Sequence, residues 1–500
     1  MSVCFIGSNR ALEVPKGVRH LAFHNDNHLL PIPMNKNSLK VRSLRSDLAL
    51  PWTKCNDIPP YCTKQMHLRP LHLDGSTFKK WPMSIEKLKH LRYLDFSSTH
   101  IKSLPESITS LQKLQTLNLR FCDYLCELPK GMKHMKVLIN LDIRDCDSLT
   151  CIPAGIGQLT CLRKLCMFIV GKNVGQQIGE LRRLNLEGKL TIKNLDNVKN
   201  LTDARSANLI WKKNLESLEL IWQQGNGNNN SVENFEETLC GRQPHSNLKK
   251  LCIIGYEGSK FPNWMENLLL PNLVEISLTE CNKCEHLPSL GKLKFVKVLH
   301  LCRMDAVKFI GSEVYGDGES AFPSLEGLIL GSMANLEEWA MVNLTLLESL
   351  NIHLLAGLKL LPDQFNNLSA LKCLLLQQCY ELASLPEGLL KLNTLERQRI
   401  SECGLVSFPV NGFSGVASVR SLSIINCHKF TSLSEQVENL TALEDLVVSD
   451  CPQLNSLPES ISYLTALRRL RIRNCEGLSS LPNEIGYLTS LLYFDLLTSL

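Results

Sequence analysis

Aliphatic side chains recur along this chain in one phrase, LxxLxL, repeated from near residue 20 to the end. Taking the second leucine-type position as a marker gives twenty copies, running Leu21, Leu44, Leu71, Leu94, Leu117, Leu141, Leu165, Leu190, Leu218, Leu251 and Ile276, then Leu299, Leu328, Leu350, Leu374, Gln398, Leu422, Leu446, Leu470 and Phe494. The last six intervals are all 24 residues, and those from Leu71 to Leu165 are 23 or 24. In a strand alternate side chains face one way, so the second and third leucines of the phrase point inward together while their neighbours meet solvent. The phrase therefore predicts a short strand in every repeat. A return segment follows each strand, as in SLPESITSLQKL at 103–114. Its Leu-Pro step, as at Leu104-Pro105, Leu128-Pro129, Leu385-Pro386, Leu457-Pro458 and Leu481-Pro482, turns the backbone away from helix. Ile108 and Leu111 then add to the same core.

A fixed period in this range with this internal pattern is the mark of leucine-rich repeats. One such repeat cannot bury its own apolar side, and stacking supplies the missing partner. The expected fold is an α/β leucine-rich-repeat solenoid: a curved horseshoe of about twenty repeats, with a parallel β-sheet on the concave face and a mostly irregular or short helical convex side. Residues 1–20 read as a lead-in, 21–170 as regular repeats, and 346–500 as regular 24-residue repeats with the last cut short. Between them, 171–345 is irregular, with intervals of 28, 33 and 29 residues. Within it 200–214 reads as a short helix capped by Thr202 or Asp203. The polar island QQGNGNNN (223–230) opens a loop insertion over 223–247, in which 232–241 reads as another short helix. The whole reads as one continuous solenoid rather than separate domains.

Composition narrows the function. Net charge is +5, spread along the chain, which gives no argument for nucleic acid or membrane partners. No apolar run reaches the roughly 18 residues of a membrane span, and the start has no basic region followed by an apolar stretch. Twenty cysteines raise the question of disulfides. Eight of them (Cys122, Cys146, Cys281, Cys379, Cys403, Cys427, Cys451 and Cys475) stand five residues after a marker, where repeats of this kind need a small side chain able to reach backbone at the turn. A structural turn ladder is the expected role, and the reducing cytoplasm the expected compartment. Cys281-x-x-Cys284 lacks a second ligand pair at zinc-like spacing, so no metal is expected. Five sequons (Asn200, Asn229, Asn343, Asn367 and Asn439) are mostly incidental, since NLT and NLS fall naturally within the return segments. His24, Asp26 and His28 form a local polar cluster without a pocket. No nucleophile elbow, zinc-protease or phosphate-loop motif occurs, so neither catalysis nor a cofactor is expected.

Solvent-facing strand positions are the candidate binding residues. Arg469, Arg471 and Arg473 alternate with inward Leu470 and Ile472, and Arg397 and Arg399 hold equivalent places three repeats earlier. Asp445 interrupts this positive field. The expectation is a basic concave patch suited to an acidic partner surface. Ile254, Ile329 and Ile425 are aliphatics at solvent positions and join the candidate set.

The irregular middle carries a more specific likeness. LRKLCMFIVGKNVGQQIGELRRLNLEGKLTIKNLDNV (162–198), PHSNLKKLCIIGYEGSKFPNWM (244–265), LPNLVEISLTECNKCEHLPSLGKL (270–293) and AFPSLEGLILGSMANLEEW (321–339) are long, off-consensus and in order. Over essentially its whole length the chain resembles the repeat region of plant intracellular disease-resistance proteins, the nucleotide-binding leucine-rich-repeat receptors of the coiled-coil class. That resemblance implies a recognition module of plant innate immunity. It would sense pathogen effectors or effector-modified host proteins and, in a full-length receptor, restrain a nucleotide-binding switch domain, whether in cis or in trans. The family's P-loop has no counterpart here: Gly171-Lys172 is followed by Asn173, and position 166 is Cys. Met66-His67-Leu68 only superficially matches the family's switch motif and lies inside a repeat. The expectation is therefore the sensor part alone, as a truncated gene product or a fragment. Two other readings stay open: a general cytosolic repeat scaffold, and an extracellular receptor ectodomain, which would call for a leader, capping cysteine pairs and LxGxIP-type turns.

Overall fold

The computed structural model describes residues 3–6, 20–23, 43–46 and 67–497, apart from 76–77, 224–231, 267–268, 316–320, 341–342, 410–412 and 414. His24, Asp26, His28, Met66 and residues 224–230 of the polar island lie outside the described residues. The chain forms two compact units, the first of residues 1–230 and 237–248, the second of 231–236 and 249–500.

All twenty markers fall on strands, nine in the first unit and eleven in the second. In the second unit the strands pair in parallel from Lys250–Ile254 to Tyr493–Leu497, and the markers lie opposite one another at every step. Leu446 and Val448 are fully buried while Asp445 and Val447 between them are half-exposed, which is the period of two that the phrase demands. Leu117 and Leu470 are likewise fully buried. Each such leucine contributes about 1.5–3 kcal/mol by leaving water. Two markers differ. Gln398 is 3 % exposed in the middle of the leucine row, and Phe494, on the last strand, is 44 % exposed.

The return segments are short 3-10 helices. Pro105 holds an extended conformation ahead of the turn Glu106–Ser110, and Pro129, Pro386 and Pro458 do the same in their repeats. In each of these turns the N–H after the helix bonds back to the carbonyl of the buried apolar residue inside it, as Leu111 does to Ile108. Ile108 and Leu111 are buried as expected.

Strand length varies along the chain, and the shortest marker strands of the first unit have a local reason. In the first unit Asp95, Asn118 and Asp142 follow the marker, and each side chain accepts the N–H of the residue two further on, at 3.1, 3.1 and 3.2 Å. That bond competes with continuation of the strand, and the strands there end after three residues. The second unit has other residues at most of these positions and runs five-residue strands.

Three details depart from the sequence reading and a fourth agrees with it. The lead-in contains a strand, Val3–Ile6, paired in parallel with His20–Phe23. The register slips by one residue at Cys166, so Thr191 faces Met167 and not Cys166. There Met167, Phe168 and Ile169 are all buried, and without a solvent face the strand has no alternation to hold its register. The helix Leu201–Ser206 is capped by Asn200, whose side chain accepts the Asp203 N–H at 3.0 Å, and not by Thr202 or Asp203. The helix Val232–Cys240 forms where 232–241 was read as helical.

Candidate functional site

Four consecutive strands of the second unit, from Arg397–Ser401 to Arg469–Arg473, carry seven of the nine candidate residues. Parallel pairing lines them up in three rows on the solvent side of the sheet. One row runs Arg397, Ser421, Asp445, Arg469, Tyr493; the next Arg399, Ser423, Val447, Arg471, Asp495; the third Ser401, Ile425, Ser449, Arg473, Leu497. Ile329 joins the middle row three strands before Arg399. Ile254 lies in the third row but seven strands from Ile425, about 34 Å at 4.8 Å per strand, so it is not part of the same cluster. A groove of about 620 Å³ follows the first row from Glu396 and Arg397 to Leu492 and Tyr493.

The charges on this face are unevenly spent. Arg469 pairs with Asp445 at 3.2 Å, while Arg471 and Arg473 both reach Asp495, at 3.3 and 2.5 Å. The Arg473 hydrogen bond holds the Asp495 carboxyl below its ordinary value. Arg471 also lies over the Tyr493 ring, 5.8 Å from its centre. Beside the rows, Lys297–Glu326, Lys372–Glu348 and Arg420–Glu444 close further pairs. Arg397 and Arg399 are both exposed, and among the described residues no carboxylate pairs with either.

The eight ladder cysteines are all buried free thiols. Each donates to backbone at the turn: Cys122 to the Phe96 carbonyl at 3.2 Å, Cys146 to Leu119 at 3.1 Å, Cys475 to Arg473 at 3.3 Å. Burial pushes the Cys146 and Cys281 thiols up to about 12, which keeps them protonated. Cys284 is buried too, and its thiol donates to the Gly258 carbonyl at 3.0 Å. The pair thus serves two turns. Thr99 fills the same ladder position with a hydroxyl, donating to Phe96 at 2.9 Å.

One group in the first unit has metal-ligand atoms close together: His72, Asp74 and Asp95, all within 4.8 Å. Asp95 is already engaged. It accepts from Ser97, Asn118 and Tyr93 at 2.6, 3.0 and 3.0 Å. Burial alone would raise its carboxyl, but hydrogen bonds from His72, Ser97 and Asn118 outweigh it and hold the group well below the usual range. Tyr93 is pushed up to about 12 by burial and by the Asp95 charge. The arrangement is a satisfied hydrogen-bond node.

Comparison with known proteins bears on the repeats themselves. The R13L1/DRL21 leucine-rich-repeat family matches residues 178–304, most of the irregular middle. Disease resistance protein RGA2 of Solanum bulbocastanum is 44 % identical over 366 residues, covering 66 % of this chain and 37 % of RGA2. The repeats are similar to those of plant disease-resistance proteins. Putative disease resistance RPP13-like protein 1 of Arabidopsis thaliana is 33 % identical over 256 residues, 48 % of this chain and 22 % of that one. The chain thus spans well under half the length of these relatives. A leucine-rich-repeat protein of Leptospira interrogans shares the fold, with a TM-score of 0.52, 21 % identity, and coverage of 92 % of this chain and 96 % of that one.

Counting charge along the sequence missed a second feature. His67, Arg69, Lys89, His90, Arg92, Lys113 and Lys136 are exposed at or just before the strand starts of the first unit. The His67 and His90 rings lie 5.5 Å apart, and Lys113 Nζ is 3.4 Å from His90 Nδ1. Lys113, burial, His67 and Arg69 all lower the His90 pKa, and no carboxylate counters them. None of the seven forms an ion pair with a carboxylate among the described residues. Interleaving with apolar positions 23 residues apart disperses these residues in sequence, and only stacking gathers them.

Proposed function

We propose that this chain is a protein-recognition module of plant innate immunity, acting in the cytoplasm by binding and not by catalysis. The solvent face of the second unit would receive a pathogen effector or an effector-modified host protein, through Arg397, Arg399, Ile425, Asp445, Arg469, Arg471 and Arg473, with Ile329 alongside. The observation that carries this reading is the parallel register. It sets charged, hydroxyl and aliphatic side chains in rows on one sheet surface, where all but the buried Ser401 and Ser449 reach solvent. Ile254 would belong to a separate contact along the same sheet. Similarity to resistance proteins supplies the biological setting.

In a full-length receptor the first unit would restrain the nucleotide-binding switch. The unpaired basic edge supports this, because an acidic surface docked there would meet five cations, Arg69, Lys89, Arg92, Lys113 and Lys136, with no internal pair to break. The test is a chimera in which these repeats replace the matching part of RGA2, expressed in leaf tissue. The expected outcome is a silent receptor that turns to spontaneous cell death when Lys89, Arg92 and Lys113 become glutamate. A silent charge-reversed chimera, present at the same protein level and still able to signal with an activating switch mutation, would rule out restraint through this edge. Capture of unrelated signalling enzymes by the second unit, with no immune phenotype in the chimera, would favour the scaffold reading.

A further inference from the structure

The cations on the second unit's solvent face differ in availability. Arg469, Arg471 and Arg473, the densest run in the sequence, share Asp445 and Asp495. An incoming carboxylate would have to displace those partners. Arg397 and Arg399 stand two residues apart on one strand, so their side chains leave the same face about 6.8 Å apart. The neighbouring strand sets Ser421 opposite Arg397 and Ser423 opposite Arg399. Serine is short, so the guanidinium groups border a notch whose floor offers two hydroxyl donors. A planar guanidinium binds carboxylate through two parallel hydrogen bonds, which suits an unpaired arginine at such a notch.

We propose that Arg397 and Arg399, with Ser421 and Ser423, form the anion-binding centre of this face, and that its occupant is an acidic protein segment with interspersed apolar side chains. The inference rests on the recognition reading above and names the partner's chemistry. Two observations select a protein segment. Leu375 and Val447 are half-buried in the middle row on either side of Arg399, giving apolar ground next to the cations. Glu396, Glu444 and Asp445 border the same groove and repel a continuous polyphosphate, whereas isolated carboxylates can pass between them. Single-stranded nucleic acid also needs open aromatic faces, and the one aromatic in these rows, Tyr493, already lies beneath Arg471.

The test uses the full chain with p-benzoylphenylalanine in place of Ser423, and a labelled twelve-residue peptide of alternating glutamate and leucine. The expected result is photo-crosslinking that falls at least tenfold when glutamine replaces glutamate in the peptide. Arg397→Ala with Arg399→Ala should lower the yield at least fivefold, while Lys297→Ala with Lys372→Ala, which removes two carboxylate-paired cations beside the rows, keeps it within twofold, both with unchanged thermal unfolding. The opposite ranking of the two double variants would overturn the proposal. A second photoprobe at Ile329 separates the two levels of argument. Capture at 329 but not at 423 leaves the recognition face standing and removes the centre; capture at neither removes both. Preferential crosslinking of a duplex or single-stranded oligonucleotide at 423 would refute the partner class.

Discussion

Gln398 occupies the marker position of its repeat, between Leu374 and Leu422, and its side-chain Nε2 is buried with no hydrogen-bond partner. A buried donor left unsatisfied costs about 1–3 kcal/mol, so Gln398→Leu is expected to stabilise the protein by about that amount. A rise in the urea midpoint with unchanged slope is the measurement, and a fall would mean that the amide has a role in packing that leucine cannot fill. The fourth residue after many of the markers shows a different compromise. Ser98, Phe121, Asp145, Glu280, Leu354, Gln378, Asn426, Asp450 and Asn474 all take positive φ at the same place in the repeat. Asparagine and aspartate tolerate that conformation, whereas Leu354 and Phe121 bear it at a cost. The turn geometry is imposed by the coil on whatever residue falls there. Cysteine reactivity follows from the same turn. Cys126, Cys161 and Cys240 are exposed and the ladder thiols are buried. Iodoacetamide should therefore label those three within minutes, while Cys122, Cys146, Cys281, Cys379, Cys403, Cys427, Cys451 and Cys475 react only on unfolding. Early labelling of the ladder, read by mass spectrometry, would contradict the assigned turns.

At the scale of elements, Lys212 ties one repeat to the next. It is 3 % exposed, and its ammonium donates to the Leu181 and Leu184 carbonyls, both at 2.8 Å, at the end of the 3-10 helix Ile178–Arg183. Burial lowers its pKa from 10.5 to about 8. Between those values the unfolded chain holds a proton that the folded chain has released, so this residue's contribution to stability rises with pH across that window. Below about pH 8 the penalty of the buried charge is present in full. Urea midpoints from pH 7.5 to 10 should show wild type gaining on Lys212→Met as pH rises; a pH-independent gap would mean the ammonium is solvated in the folded state. Elements also show what sequence left unread. The helix Leu201–Ser206 was legible from its polar cap region, but the choice of Asn200 over its neighbours depended on where the backbone enters the first turn. The slip at Cys166 escaped notice because a marker pattern records spacing and cannot register a strand buried on both faces.

For the molecule as a whole, stability in a stack is a sum of near-neighbour terms. Leu446→Ala should cost about 2–5 kcal/mol as a core cavity. Amide exchange should quicken most in the strands Ser421–Ile425, Asp445–Ser449 and Arg469–Arg473 and little in Lys250–Ile254 of the same unit. Uniform acceleration would mean that the unit unfolds as one body. The candidate face shows the same division between what is local and what is collective. Which residues face solvent was set by alternation along each strand, and the shared face of the five arginines and Asp445 follows from that alone. Which arginines are neutralised was not readable, because Asp445 and Asp495 lie 22 to 24 residues from their partners and meet them only across paired strands. The basic edge of the first unit was hidden for the same reason. By itself, the sequence determined the repeating coil, its inward leucines, its turn ladder and its kinship with resistance proteins, since each depends on residues close together or on a fixed period. Tertiary structure decided the charge pairing, the register slip and the unpaired cations, since stacking brings residues some two dozen positions apart to within hydrogen-bonding distance, and no local pattern encodes which of them will meet.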